Sequence, residues 1–434
     1  MQMKFYSTNN LAHLVSFEEA VLNGLPPDGG LYMPERISVF PCDYFETLEL
    51  KSLQEIAFDV STAFVEKDIP TNDLKKIIEQ AISFDAPLVQ VEEDIYALEL
   101  FHGPTLAFKD FGARFLSQVL GYFAQRLNRE IVILVATSGD TGSAVANGFL
   151  GVPNTKVVVL YPSGKVSEVQ EKQFTTLGQN TLAVEVTGNF DDCQRLVKQA
   201  FLDVDLKDNY FLTSANSINI ARLIPQAFYY FYAWSRLPKK EKVAFSVPSG
   251  NFGNLTAGLI AQRMGLPIQH FVAATNGNNV VPHYLNTGNF ISRPSKSTLS
   301  NAMDVGNPSN FARMLELFDR SHTSIQNAVT GYSFTDEKTR AAISEVFIKH
   351  NYLLDPHGAI GYLGLKKYLG QNPGHVGVFL ETAHPAKFRE TVESVIGKKL
   401  NMPETLKKFL TGSKKTIACN ATYESFKKIL LTNV

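Results

Sequence analysis

IVILVATSGDTGS, residues 131–143, carries the pattern on which the fold turns. An unbroken apolar run, Ile131–Ala136, stops at a glycine-rich turn, and a helical pattern follows. Apolar residues in succession, rather than alternating with polar ones, suit a strand buried on both faces. The same grammar recurs outward along the chain. Val157–Tyr161, Leu182–Val186, Tyr210–Leu212, Val243–Val247, His270–Ala274 and Val376–Leu380 are further short apolar runs bounded by turn residues. Helical patterns lie between many of them. In one, Phe111, Phe115, Val119, Phe123 and Leu127 recur every fourth residue, with Leu116 and Leu120 beside them. That spacing predicts a helix with the stripe facing a core. Strands and helices in alternation predict an α/β fold with mostly parallel sheets.

A chain of 434 residues exceeds one compact core, so two or more domains are expected. Hydrophobic residues make up 44% and charged residues 19%, which fits a soluble globular protein. The net charge of -1 and the lack of a long basic stripe argue against a nucleic-acid partner. The lysines from Lys407–Lys408 to Lys414–Lys415 read as a solvated face. Cys42, Cys193 and Cys419 lie far apart, and the histidines show no metal-ligand spacing. Reduced thiols, no metal and a cytoplasmic setting are therefore expected. MQMKFYSTNN lacks the marks of a targeting segment, and no apolar run nears the ~20 residues that cross a bilayer.

Three stretches could carry chemistry. In FHGPTLAFKDFG, residues 101–112, Lys109 stands among apolar Leu106, Ala107, Phe108 and Phe111, at a helix start that Asp110 could cap. A lysine desolvated in this way has a depressed pKa and can act as a nucleophile. Alone, a surface lysine at a helix start is the commoner reading. SGNFGN, residues 249–254, lies between the run Val243–Val247 and a helical pattern over Leu255–Met264. Such a turn presents backbone N–H groups at a helix N-terminus, where an anion binds. A plain tight turn is the bland alternative. TSGDTGS, residues 137–143, repeats the strand–turn–helix arrangement and offers Ser138, Thr141 and loop amides to a second anion. A poised lysine with two anion cradles matches an amino-acid enzyme that uses pyridoxal phosphate.

At this point the sequence resembles the threonine synthase family, within the tryptophan-synthase-β-like, fold type II group of pyridoxal-phosphate enzymes. FHGPTLAFKDFG is similar to that family's cofactor-lysine segment. DGGLYMPE (28–35), ATSGDTGSA (136–144), NSINIAR (216–222), VPSGNFGN (247–254) and ETAHPAKF (381–388) match it in the expected order. The resemblance implies an α/β fold type II enzyme with two open, mostly parallel sheets, flanking helices and an N-terminal extension. The expected parts are an extension over 1–88, a large cofactor-binding domain over 89–112 and 222–400, a smaller mobile substrate-loop domain over 113–221, and a C-terminal helical tail over 401–434.

It further implies that Lys109 holds the aldehyde of pyridoxal 5'-phosphate, while Gly250, Asn251, Phe252, Gly253 and Asn254 bind its phosphate. Thr382 would face the ring nitrogen, and a neutral hydroxyl there does not force a charged ring. The implied substrate is O-phospho-L-homoserine. Ser138, Gly139, Asp140, Thr141 and Gly142 would lie near its carboxylate, and Asn216, Ser217, Asn219 and Arg222 near its phosphate. Arg222 is the only cation in its motif, and its planar fork suits phosphate. Asp140 departs from the Asn common in related enzymes. The implied reaction is a γ-elimination of phosphate followed by β-addition of water, with Lys109 as base, in a cytoplasmic monomer or homodimer. A threonine or serine dehydratase would share Lys109 and the glycine turn without needing Arg222 or DGGLYMPE. A catalytically silent phospho-metabolite-binding relative would not need Lys109 or Thr382.

Overall fold

The run Ile131–Ala136 is a strand along its whole length, β6, and every residue of it is buried. In the computed structural model, which describes residues 2–65 and 67–434, β6 sits inside a five-stranded parallel sheet. Its neighbours are β7 (Thr155–Pro162) and β9 (Phe211–Ser214). Beyond β7 lie β8 (Thr181–Thr187) and, at the edge, β14 (Ile417–Asn420).

A second, six-stranded sheet has β10 (Val243–Pro248) and β13 (Val376–Glu381) at its centre. β11 (His270–Thr275) and β12 (Val329–Ser333) extend it on one side, β5 (Ile95–Glu99) and β4 (Leu88–Glu92) on the other. All its pairs are parallel except β4 with β5, which is antiparallel. Each apolar run read from the sequence is a strand in one of these sheets. A small antiparallel sheet of β1 (Phe5–Ser7), β2 (Asn10–Val15) and β3 (Tyr32–Pro34) belongs to the N-terminal segment.

The helix Lys109–Leu127 joins the two sheets, leaving the six-stranded one after β5 and entering the five-stranded one at β6. Its predicted stripe is buried from Phe111 to Phe123, but Leu127 is exposed, because the helix ends there on the left-handed Asn128. Asp110 is not the cap. Phe108 holds that position, and Asp110, in the first turn, accepts from the amide and hydroxyl of Thr105 at 2.8 and 2.6 Å. The tail over 401–434 is not only helical. Between the helices Glu404–Leu410 and Tyr423–Asn433 it contributes β14, whose partner β8 would otherwise be an open edge.

Candidate active site

In open parallel sheets, ligands bind beyond the carboxyl ends of the strands. The residues singled out from the sequence follow this rule. Lys109 follows β5, Ser249–Asn254 follow β10 and Thr382 follows β13, all in the large sheet. Thr137–Gly142 follow β6 and Asn216–Arg222 follow β9, in the smaller sheet. The two sets meet.

Lys109 is fixed through its backbone neighbours. Phe108 N donates to Thr382 O (2.9 Å) and His384 N to Leu106 O (3.1 Å), with Ala107 and Ala383 bridged between them. Thr382 is thereby tied beside the lysine, itself buried. The Lys109 Nζ lies 3.8 Å from Asp140 Oδ2, and the lysine side chain is 16% exposed. Burial pushes the Lys109 amine below the ordinary lysine range. Asp140 pulls it back, while Lys387 and Arg222 push it down further. Asp140 is a carboxylate despite its burial. Lys387 Nζ (2.7 Å) and Gln170 Nε2 (2.9 Å) both donate to its Oδ1, and together with Lys109 they hold its carboxyl well below the usual range.

The turn after β10 is built for close approach. Phe252 takes a left-handed conformation, φ 61°, and the helix Gly253–Arg263 begins directly after it. The first amides of a helix have no intrahelical acceptor, so Gly253 and Asn254 offer theirs outward. A Cβ on Gly250 would sit 2.7 Å from Met303 Cα, so only glycine fits. The Asn254 side chain is held by its oxygen, and its Nδ2 is buried without a partner. Its Oδ1 accepts from both Tyr229 and Tyr230 hydroxyls at 2.7 Å.

The turn after β6 is partly closed on itself. Thr137 Oγ1 accepts from the amides of Gly139 (2.9 Å) and Gly142 (2.8 Å), which withdraws both from any bound carboxylate. Gly139 has φ 143° and its Cβ would strike Gln170, so its part is to shape the turn. Ser138 and Thr141 stay partly exposed, and among the described residues their side chains have no hydrogen-bond partner.

Asn219 likewise differs from expectation. Fully buried, it caps the helix Ile220–Leu223 through Ala221 N and donates to Val21 O and Ser214 O, leaving nothing to offer a ligand. Arg222 is buried rather than on a helix surface. Its Nη1 donates to Ala215 O and its Nε has no partner. Burial pushes it down to about 10, offset in part by Asp110. The Asn216 Oδ1 is also buried without a partner. Ser217 connects the loop after β9 to the turn after β10, because its Oγ accepts from Asn251 Nδ2 at 2.5 Å.

The segment 298–313 also builds this site, and its sequence had given no signal. Ser309 N donates to Asn251 Oδ1 (2.6 Å), and Ala302 and Met303 wall off Gly250. Arg313, fully buried, spends its donors on Ser217 O, Ile218 O, Tyr32 O and Asn310 Oδ1. Burial with no acid beside it pushes this guanidinium down to about 9. Through Arg313, Tyr32 of DGGLYMPE is tied to the NSINIAR loop. A lone arginine with no glycine turn or charge run around it carries no sequence mark of such a role.

A family described as "Pyridoxal-phosphate dependent enzyme" matches residues 82–381. Residues 4–82 match "Threonine synthase N terminus" and residues 358–430 "Threonine synthase, C-terminal". Threonine synthase from Haemophilus influenzae is 50% identical over 408 residues, covering 94% of each chain. The chain belongs to the threonine synthase family. Among solved structures, threonine synthase from Escherichia coli superposes with a TM-score of 0.94 at 43% identity and covers 100% of both chains. Pyridoxal-phosphate-bound threonine synthase from Brucella melitensis does so with 0.93 at 35% identity, covering 99% of each. The threonine synthase fold is thus fold type II, and its cofactor is pyridoxal phosphate. The residues present fit that group: a buried amine at Lys109, a turn at Gly250 that admits no side chain, and a buried hydroxyl at Thr382. Among the described residues no helix is long and apolar enough to cross a membrane.

Proposed function

We propose that this chain converts O-phospho-L-homoserine and water to L-threonine and phosphate. The observation that supports the reading is that the loop after β9 meets the turn after β10. After β9, Arg222 is a buried cation with an unpartnered Nε, and Ser217 is bonded to Asn251. A dehydratase acting on serine or threonine has no phosphate to place there.

In this reading Lys109 carries the cofactor, the amides of residues 250–254 hold its phosphate, and Thr382 faces the ring nitrogen. Bound pyridoxal phosphate supplies the electron withdrawal that makes protons on the substrate's carbon chain removable. Lys109 would stand as a base beside Cα, and burial lowers its amine below the ordinary lysine range. Ser138 and Thr141 with the free amides of their turn orient the carboxylate. Arg222 and Ser217 hold the phosphate until it leaves Cγ. Asp140, bound to Lys387, accepts hydrogen bonds and has none to donate, which suits its departure from Asn.

The domain division follows the two sheets: residues 89–112 with 222–400, and residues 113–221 joined by the β14 segment. A cytoplasmic monomer or homodimer completes the reading. The test is an assay of phosphate release from O-phosphohomoserine with threonine detected alongside. Stoichiometric release of both supports the assignment, while deamination of threonine or serine without phosphate chemistry overturns it.

A further inference from the structure

Lys387 has no part in the reaction as just described, yet it is fully buried at the centre of the site. It stands in the turn Pro385–Phe388, after Thr382. Its Nζ donates to Asp140 Oδ1 at 2.7 Å and to Thr105 O at 2.8 Å. Thr105 belongs to the Lys109 segment, and Asp140 heads a helix of the smaller sheet. One ammonium group therefore joins three segments that carry the site.

The Asp140 carboxylate faces two lysines but closes on one of them, 2.7 Å from Lys387 against 3.8 Å from Lys109. We propose that Lys387 is a positioning residue for the cofactor lysine: by occupying Asp140 it leaves Lys109 a free amine, and in the same contact it clamps the loop after β6 onto the large sheet. The proposal rests on the reading of Lys109 as the cofactor lysine.

The charges facing Lys109 come from four elements: Asp140 from its helix head, Lys387 from its turn, Arg222 from the helix Ile220–Leu223, and Asp355 from the head of the helix Pro356–Gln371. Lys387 itself also faces Asp110 and His384. With Lys387 neutralised, Asp140 has only Lys109 as a cationic partner within reach, and an ion pair between them would hold the amine protonated.

The test uses the full chain and reads cofactor loading rather than turnover. Cofactor is removed, and the rate of its re-addition is followed from pH 6 to 10 by the visible absorbance of the loaded protein. Lys387→Met should slow loading at pH 7.5 by about tenfold and move the midpoint of the profile up by about one pH unit. Lys387→Met with Asp140→Asn removes both charges and should return the rate to within about threefold of the wild type.

Should Lys387→Met alone fail to fold, Asp140→Asn is compared with the double variant. There the midpoint should be lower in Asp140→Asn, where Lys387 stands unpaired beside Lys109. Identical profiles in either comparison overturn the proposal. Borohydride fixation and peptide mapping keep the two readings apart. Cofactor fixed on a lysine other than Lys109 sinks the cofactor-lysine reading. Cofactor on Lys109 with unshifted profiles sinks the role of Lys387 alone.

Discussion

At Lys109, burial and Asp140 act in opposite directions on one amine, with burial the larger. The lysine therefore gives up its proton more readily than an exposed lysine does, which favours a nucleophile. Lys109→Ala should remove the visible absorbance of the bound cofactor and bring turnover to background, and a variant keeping the wild-type spectrum and rate would refute the assignment. Arg222 invites a different experiment. Its charge is buried with one backbone acceptor and, among the described residues, no carboxylate in hydrogen-bonding reach, which suits the proposed phosphate contact. A charge-assisted hydrogen bond contributes roughly 1.5–3 kcal/mol, so Arg222→Ala should lower kcat/KM for O-phosphohomoserine by about 10- to 150-fold. Cofactor affinity should barely move. Equal losses on phosphorylated and unphosphorylated substrates would make Arg222 a support of the fold.

Among elements, the strand–turn–helix units were the most legible from sequence. A strand buried on both faces writes itself as a continuous apolar run, and β6, β10 and β13 are buried throughout. Several strands the sequence did not disclose have other patterns, although β3 and β5, also undisclosed, are largely buried. β2 is exposed along most of its length, and β4 and β14 are edge strands with few buried positions. Within the site, glycine turns announced themselves, but the division of labour inside NSINIAR did not. Asn219 and Asn216 are the same residue type, and only their surroundings make one a cap and the other an open acceptor. The cap reading makes its own prediction. Asn219→Ala should cost about 1–2 kcal/mol of stability, read as a lower denaturation midpoint. Its effect on kcat/KM should stay well below that of Arg222→Ala, and the reverse order would return Asn219 to the substrate. The turn after β10 is tested at the same scale. Gly250→Val puts atoms where Met303 and Ala302 already stand, so the loop must shift and cofactor affinity should fall about tenfold or more. Unchanged affinity would give the loop another role.

Across the whole molecule, the chain's end returns to its middle. β14 closes the sheet beside β8, and the helix Tyr423–Asn433 lays Phe426, Ile429 and Leu430 over an apolar cluster that includes Val184, Val186 and Cys193. The seam is edged by ion pairs, Lys427 with Asp203 (2.8 Å) and Lys414 with Glu171 and Glu185 (2.7 and 2.8 Å). These pairs are only partly buried and such pairs contribute little, so apolar burial carries the attachment. Lys172 Nζ also donates to Gly412 O, which links the tail to the helix Glu168–Thr175 behind Gln170 and so to Asp140. The three thiols report on this arrangement. Cys42 is exposed, whereas Cys193 and Cys419 are buried on either side of the seam, and burial pushes the Cys193 thiol up to about 12. A thiol so placed is a poor nucleophile and sterically covered. In the intact native chain a disulfide reagent should therefore titrate Cys42 alone on the fast timescale. A chain ended after Leu410 loses β14 and its helix, opens the β8 edge and uncovers Cys193. It should show a second fast thiol at residue 193, a lower denaturation midpoint and a greater tendency to associate through the open edge. A shortened chain in which Cys193 stayed as unreactive as in the intact protein would mean that the five-stranded sheet closes without its last strand.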